Sequence, residues 1–472
     1  MVSTESSEGG SGEINRFVYV ATAIAALNGL LFGFDTGIIS GALPFIGKTF
    51  QLSSFMKELV VSGALIGAIV GAAGGGRLTD DFGRRKLIFV ASIIFFVGSL
   101  IMAFAPSVPI LVVGRFTVGF GIGVASLIGP LYNSEIAPSR LRGSLVSLNQ
   151  LAVTSGILLA YFVNYAFAQG GQWRWMLGMG VVPAAVLGIG MIWMPKSPRY
   201  LVRIGEEEEA RDILKRIRPS ADVDEELDDI RKTEKEQSGT GLGELLESWI
   251  RPALIVGAGL AVFQQITGIN TVIYYAPTIF NSTGFASSAS ILATVGVGVV
   301  NVSFTLAAVF LLDRRGRRPL LLVGLGGMTA MLFGLGGVFY FQSLQGIVGL
   351  LSVVGVMAYV AFFAIGLGPV FWLLISEIYP LEVRGTAMGL VTVLNWAANL
   401  AVSISFLTLT NAIGKSFTFW LYGALSIVTF VFAYYLVPET KGRSLEAIES
   451  DLRSNSLTGS SEEATEQTVQ NE

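Results

Sequence analysis

Three features of the sequence predict an all-α membrane protein of twelve transmembrane helices, arranged as two six-helix halves. Of its 472 residues, 52% are hydrophobic and only 14% charged, with a mean hydropathy of +0.65; a soluble domain carries about 25% charged residues to face water. Uncharged runs long enough to cross a bilayer, roughly 20 residues each, recur along the chain. Two charged motifs appear twice, in register.

The spans are predicted near 17–45, 58–76, 87–105, 108–132, 145–168 and 175–194, then near 252–275, 288–312, 319–341, 346–375, 386–410 and 416–437. No charged residue lies between Arg251 and Asp313, or between Arg318 and Glu377, so each gap holds two helices and a short uncharged loop. Lys and Arg concentrate in cytoplasmic loops. One side carries Arg77, Arg84, Arg85, Lys86, Arg140, Arg142, Arg314, Arg315, Arg317, Arg318 and Arg384, plus eleven more between Lys196 and Arg251. The other carries Lys48, Lys57, Arg174 and Lys415. The first side is therefore expected to be cytoplasmic, with both termini on it.

Residues 1–16 are polar, acidic and Ser/Gly-rich, without the basic start of a cleaved signal peptide, and read as a disordered tail. Residues 438–472 read as a cytoplasmic tail with an acidic, disordered end. The stretch 195–251 is the one long hydrophilic insertion, separating a first half at 17–194 from a second at 252–437. Within it, Ile213, Leu214 and Ile217, then Leu227 and Ile230, recur at helical spacing. They predict short amphipathic cytoplasmic helices packed on the bundle.

The chain has no cysteine and no histidine, so thiolate chemistry is excluded and any proton relay must use a carboxylate. A net charge of -3 argues against a nucleic-acid partner. No nucleophile–base pair, metal-ligand cluster or phosphate-cradling loop is present, so neither an enzyme nor a cofactor is expected.

The first repeated motif is GRLTDDFGRRK, with Asp80, Arg84 and Arg85, matched by LLDRRGRRP, with Asp313, Arg317 and Arg318, at an offset of 233. The second is SEIAPSRLRG, with Glu135 and Arg142, matched by SEIYPLEVRG, with Glu377 and Arg384, at an offset of 242. Two halves of the same orientation are implied, as in a transporter built from parallel repeats. A Gly-containing turn that presents arginines beside helix-ending carboxylates can act as a cytoplasmic gate. Positive-inside topology with helix caps accounts for one motif, but not for its recurrence.

Two charges lie well inside the spans, Asp35 and Arg115. A charge at the bilayer centre costs about 2.5–3.5 kcal/mol and marks function by default. At 1.5 Å per residue, Asp35 stands about 27 Å up the first span and Arg115 about 9 Å below the outer edge of the fourth, in a core about 30 Å thick. A pairing is allowed. Burial favours the neutral acid and a guanidinium favours the carboxylate, so a pair that opens and closes switches proton affinity with conformation. A fixed ion pair bracing the two spans is the simpler alternative. No other midplane charge could neutralise an ionic cargo, so the cargo is expected to be neutral and polar, and amides and aromatics suit such a molecule. Spans seven, eight, ten and eleven contain Gln264, Gln265, Asn270, Tyr274, Asn301, Trp372, Asn395, Trp396 and Asn399, with Gly268, Gly366 and Gly368 as helix breakers. An isolated amide reads as interhelical glue; a set of this size does not.

From FGFDTGIISGALPF, GRFTVGFGIGVAS, PLYNSEIAPSRLRG, QQITGIN, DRRGRRP, GLGPVFWLLISEIYPLEVRG and VPETKGRSLEAIE, the chain resembles the sugar porter family of the major facilitator superfamily over nearly all of 17–445. The resemblance implies proton-coupled import of a monosaccharide, a hexose or pentose, with Asp35 as proton carrier and Arg115 as modulator. It assigns sugar contacts to Gln150, Gln264, Gln265, Asn270, Asn301, Trp372 and Asn395, with Phe32, Tyr274 and Trp396 lining the cavity. It also implies a monomer in the cell membrane whose partners are sugar, proton and lipid. A facilitative uniporter and a sugar sensor remain as alternatives, the sensor disfavoured by the short tail. Two departures stand out. Lys196 occupies a position where the family usually has Glu, which removes a partner of the gate arginines. Gly180 stands where some xylose-type symporters carry an acid, leaving coupling to Asp35 and Arg115 alone.

Overall fold

In the computed structural model the described residues are 16–136, 142–217, 223–237, 243, 245, 247–344, 346–380 and 383–443. The first five spans are Arg16–Thr49, Ser54–Phe82, Arg84–Ala103, Val108–Ile136 and Arg142–Ala168. The sixth is broken into Trp173–Gly178 and Val181–Ile192, and the seventh into Arg251–Ile266 and Ile269–Asn281. The eighth and ninth are Ser287–Arg315 and Arg317–Tyr340, and the tenth is broken into Val348–Ile365 and Leu367–Glu377. The last helix, Arg384–Leu436, has 53 residues. A straight helix of that length would measure about 80 Å, far beyond a core of about 30 Å. Gly414, at φ 83° and ψ 159°, turns it into the eleventh and twelfth spans.

Apolar stripes face outward, as lipid requires. On the sixth span Val182, Val186 and Ile189 lie on one face, each about half exposed, and Trp175 and Trp193 stand exposed at its two ends. Such a surface is an aggregation liability in water and the natural one in a bilayer, where aromatics gather at the interfaces.

Without a hydrophobic force between helices in lipid, close backbone approach holds the bundle together. A Cβ on Gly119 of the fourth span would lie 1.9 Å from the Ala64 carbonyl oxygen, and one on Gly67 of the second would lie 2.2 Å from that of Phe116. The first and fifth spans use the same device, since a Cβ on Gly33 would lie 1.8 Å from the Val153 oxygen. These contacts set the spans that carry Asp35 and Arg115 against their neighbours.

Among the described residues three helices lie between the sixth and seventh spans, Pro198–Arg203, Glu207–Ile217 and Val223–Gln237. Leu214, Ile217 and Leu227 are buried, and Ile213 and Ile230 pack against the core. The extra helix starts at Ser197, whose hydroxyl caps it by accepting from the Tyr200 N–H, followed by Pro198 in the first turn.

Gly119→Ala is expected to destabilise the protein by about 1–3 kcal/mol through overpacking, read as a lower thermal midpoint in detergent. Gly326→Ala, where a Cβ would meet nothing within 4 Å, should leave the midpoint at or above the parent's.

Candidate functional site

The glycine-packed first, second and fourth spans converge on Asp35 and Arg115, whose side chains are 6% and 1% exposed. Arg115 Nη1 donates to Asp35 Oδ1. Its Nε donates to the Val60 carbonyl at 3.3 Å and its Nη2 to that of Val61 at 3.5 Å, both on the second span. The guanidinium is thus held by one carboxylate and two helix carbonyls. Beside the pair is a cavity of about 10 Å³, room for about one water. Phe32, Asp35 and Thr36 line it from the first span, Tyr274 and Trp396 from the seventh and eleventh. Asp35 therefore sits where the two halves meet.

The amides gather at two helix breaks. Gly268, at φ 89°, separates Gln264 and Gln265 from Asn270 and turns all three to one side. Gln265 Nε2 donates to Gln264 Oε1 and to Asn395 Oδ1, each at 3.2 Å. Asn270 donates to Gln265 Oε1 at 2.7 Å, and Asn395 donates to Gln264 Oε1 at 2.9 Å and to the Ala261 carbonyl at 3.0 Å. Gln264 Nε2 reaches the Leu367 carbonyl at 3.3 Å, just past the Gly366 break of the tenth span. Asn399 donates to Tyr274 Oη at 3.4 Å and accepts from Ser403 at 2.9 Å. Phe32 meets Trp396 edge-on with ring centroids 5.1 Å apart, and the buried Trp396 Nε1–H has no acceptor among the described residues.

Gln150, Asn301 and Trp372 stand on the fifth, eighth and tenth spans and are not joined to this network. Asn301 is buried, and Trp372 packs edge-on against Phe371 at 4.8 Å.

On the arginine-rich face the two motifs build matching clusters. Arg84 pairs with Glu135 at 2.9 Å and Arg317 with Glu377 at 2.8 Å. Arg85 donates to the Met191 and Ile192 carbonyls at the end of the sixth span, and Arg318 to that of Tyr434 at the end of the twelfth. Both ion pairs lie within a half, so they brace each half internally. Arg384 donates to the Tyr379 carbonyl at 3.1 and 2.9 Å, while Glu377 takes Arg317. The side chains of Asp80, Arg142 and Asp313 lie outside the described residues.

Lys196 breaks the symmetry. Its counterpart Glu439 accepts from the Arg317 and Arg318 backbone N–H groups at 3.0 Å each, capping the ninth span. Lys196 instead donates to Glu206 and Glu209 at 3.1 and 2.8 Å. Hydrogen bonds to Glu209 and Glu206 hold its ammonium above the ordinary value. Glu135 keeps Arg84 nonetheless, and the Ser197 hydroxyl donates to it as Thr440 donates to Glu377.

One buried charge escapes the sequence reading. Glu58 lies one turn inside the second span and is fully buried; its position at a predicted span end disguises it as a loop residue.

Twelve spans, a duplicated basic-face motif and a polar centre at the seam of two halves define a membrane transporter of the major facilitator fold. The family described as "Sugar (and other) transporter" matches residues 21–452. The chain is 44% identical over 440 residues to the D-xylose transporter of Levilactobacillus brevis, covering 93% of this chain and 95% of that one. It is 42% identical over 432 residues to the galactose-proton symporter of Escherichia coli K12, covering 91% and 93%. A solved structure of the proton:xylose symporter XylE bound to 6-bromo-6-deoxy-D-glucose superposes with a TM-score of 0.80 at 34% identity, covering 92% of this chain and 99% of that one. The chain belongs to the sugar porter family and is a transporter, not an enzyme.

Asn395→Leu leaves Gln264 Oε1 and Gln265 Nε2 each short of a partner, and should cost about 1–3 kcal/mol of stability. Thermal unfolding in detergent measures it, with Gln150→Leu, outside the network, expected to unfold like the parent.

Proposed function

We propose that the protein is a proton-coupled monosaccharide symporter, importing a hexose or pentose by alternating access. The observation that carries this reading is the contact of Asp35 with Arg115 in the wall of a cavity shared by both halves. Opening the pair with both groups ionised strands two buried charges, each costly; a proton on Asp35 removes one of them. With Asp35 neutral, Arg115 keeps the Val60 and Val61 carbonyls, and the first span is free to move relative to the fourth. Proton binding and rearrangement thereby become one event.

The amide network supplies the other half of the cycle. Gln264, Gln265, Asn270 and Asn395 satisfy one another through mutual hydrogen bonds. Sugar hydroxyls can exchange into those bonds, and the unpartnered Trp396 Nε1–H offers a further donor. Gln150, Asn301 and Trp372 would contact the sugar from the facing spans. The relatives support this cargo: one is named a D-xylose transporter and another a galactose-proton symporter.

In this reading the arginine-rich face is cytoplasmic, both termini lie there, and the protein works as a monomer in the cell membrane. Residues 17–194 and 252–437 rock against each other about the site, joined by the linker 195–251. Arg84–Glu135 and Arg317–Glu377 hold each half rigid at the cytoplasmic gate, together with Asp80, Arg85, Arg142, Asp313, Arg318 and Arg384.

Sugar accumulation by the purified protein in liposomes, with and without an inward proton gradient, tests the assignment. The parent should concentrate sugar only with the gradient. Asp35→Asn should lose that accumulation completely while retaining sugar counterflow within a few-fold. Accumulation that persists in Asp35→Asn would make the protein a carrier that does not use this carboxylate.

A further inference from the structure

Glu58 has no part in the proton and sugar chemistry above, yet it is a fully buried carboxylate. Among the described residues no cation pairs with it; both its oxygens go to one residue of the other half. The Thr408 backbone N–H donates to Oε1 at 2.7 Å and the Thr408 hydroxyl to Oε2 at 2.6 Å. Thr408 lies near the end of the eleventh span, before the Gly414 turn. Nearby, Asn411 Nδ2 donates to Ser54 Oγ at 2.9 Å, again from second half to first. The phenols of Tyr275 and Tyr422, on the seventh and twelfth spans, lie within electrostatic reach of Glu58. A carboxylate is costly to bury, and charge-assisted hydrogen bonds are among the few interactions strong enough to offset that cost. The bond is therefore a strong, specific tie between halves, on the face opposite the arginine motifs.

Two routes connect this tie to the site. Val60 and Val61, whose carbonyls hold Arg115, follow Glu58 within a single turn of the second span. On the eleventh span, Ser403 and Asn399 continue from Thr408 to Tyr274, which lines the cavity at Asp35.

We infer that Glu58 is the positioning residue of an outer gate, its two hydrogen bonds to Thr408 latching the second span to the eleventh whenever the outer side is closed. The second span relays the state of the Asp35–Arg115 pair to the latch through Val60 and Val61. This inference rests on the transporter reading above.

The absence of native cysteine makes a single reporter clean. Ser62 is buried, its hydroxyl has no partner among the described residues, and it follows Glu58 by four residues on the same helix face. In right-side-out vesicles, a Ser62→Cys protein should react slowly with a membrane-impermeant maleimide. Glu58→Ala and Thr408→Val should each speed that reaction about tenfold, equivalent to about 1.4 kcal/mol. The double variant should be no faster than either single one. Glu58→Gln, whose amide can still engage both the N–H and the hydroxyl, should stay near the parent rate. Unchanged labelling in both single variants, additive acceleration in the double, or equal acceleration in inside-out vesicles would overturn the latch. Counterflow of D-xylose and of D-galactose by the Ser62→Cys protein in the same vesicles keeps the two readings apart. No exchange there refutes the transporter reading, whereas unchanged labelling in an exchanging protein refutes the latch alone.

Discussion

A guanidinium and a carboxylate buried away from bulk water set the terms for the rest of this structure. Arg115 is 1% exposed and depends on Asp35, Val60 and Val61 for every contact that compensates its charge. Helix carbonyls can serve a guanidinium only if the backbones approach closely, and glycines make that possible. The second and fourth spans touch through Gly67 and Gly119, leaving no space for a side chain at either position. Packing, electrostatics and coupling are thus one constraint. Parting the pair with both groups ionised leaves two buried charges uncompensated, whereas protonation of Asp35 leaves only the guanidinium, which keeps the Val60 and Val61 carbonyls.

Much of this was legible in the chain. Sparse charge located twelve spans, because lipid tolerates so few ionised groups that each marks a loop or a functional site. The breaks at Gly268 and Gly366 were signalled by glycine inside apolar helices, and at Gly268 the positive φ is one that side-chain-bearing residues rarely adopt. The break in the sixth span was not anticipated, although Pro183, which lacks an N–H, follows Gly180 closely. The third linker helix was also missed; its marker is the capping serine before proline at Ser197.

What the chain could not reveal is which distant groups meet. Gln265 and Asn395 are 130 residues apart, and Glu58 and Thr408 are 350 apart. No local spacing encodes either contact. Nothing in its own helix signals the burial of Glu58, which is bonded to the eleventh span. The duplicated motifs were legible as patterns, but not as pairings. The arginines form their carboxylate pairs inside each half, and the Lys196 departure moves a contact to Glu206 and Glu209 without undoing Arg84–Glu135. The second half retains the carboxylate cap on its matching helix through Glu439, so the two halves are alike in backbone and unlike in how their basic faces are tied.

The most direct test of the central claim, that protons and sugar move together through the Asp35 site, is the external pH of a lightly buffered suspension of protein-loaded liposomes on addition of sugar. With no imposed gradient, the account predicts alkalinisation that begins with sugar influx, in proportion to it, and is abolished by a protonophore. Sugar influx at full rate with no change in external pH would contradict it.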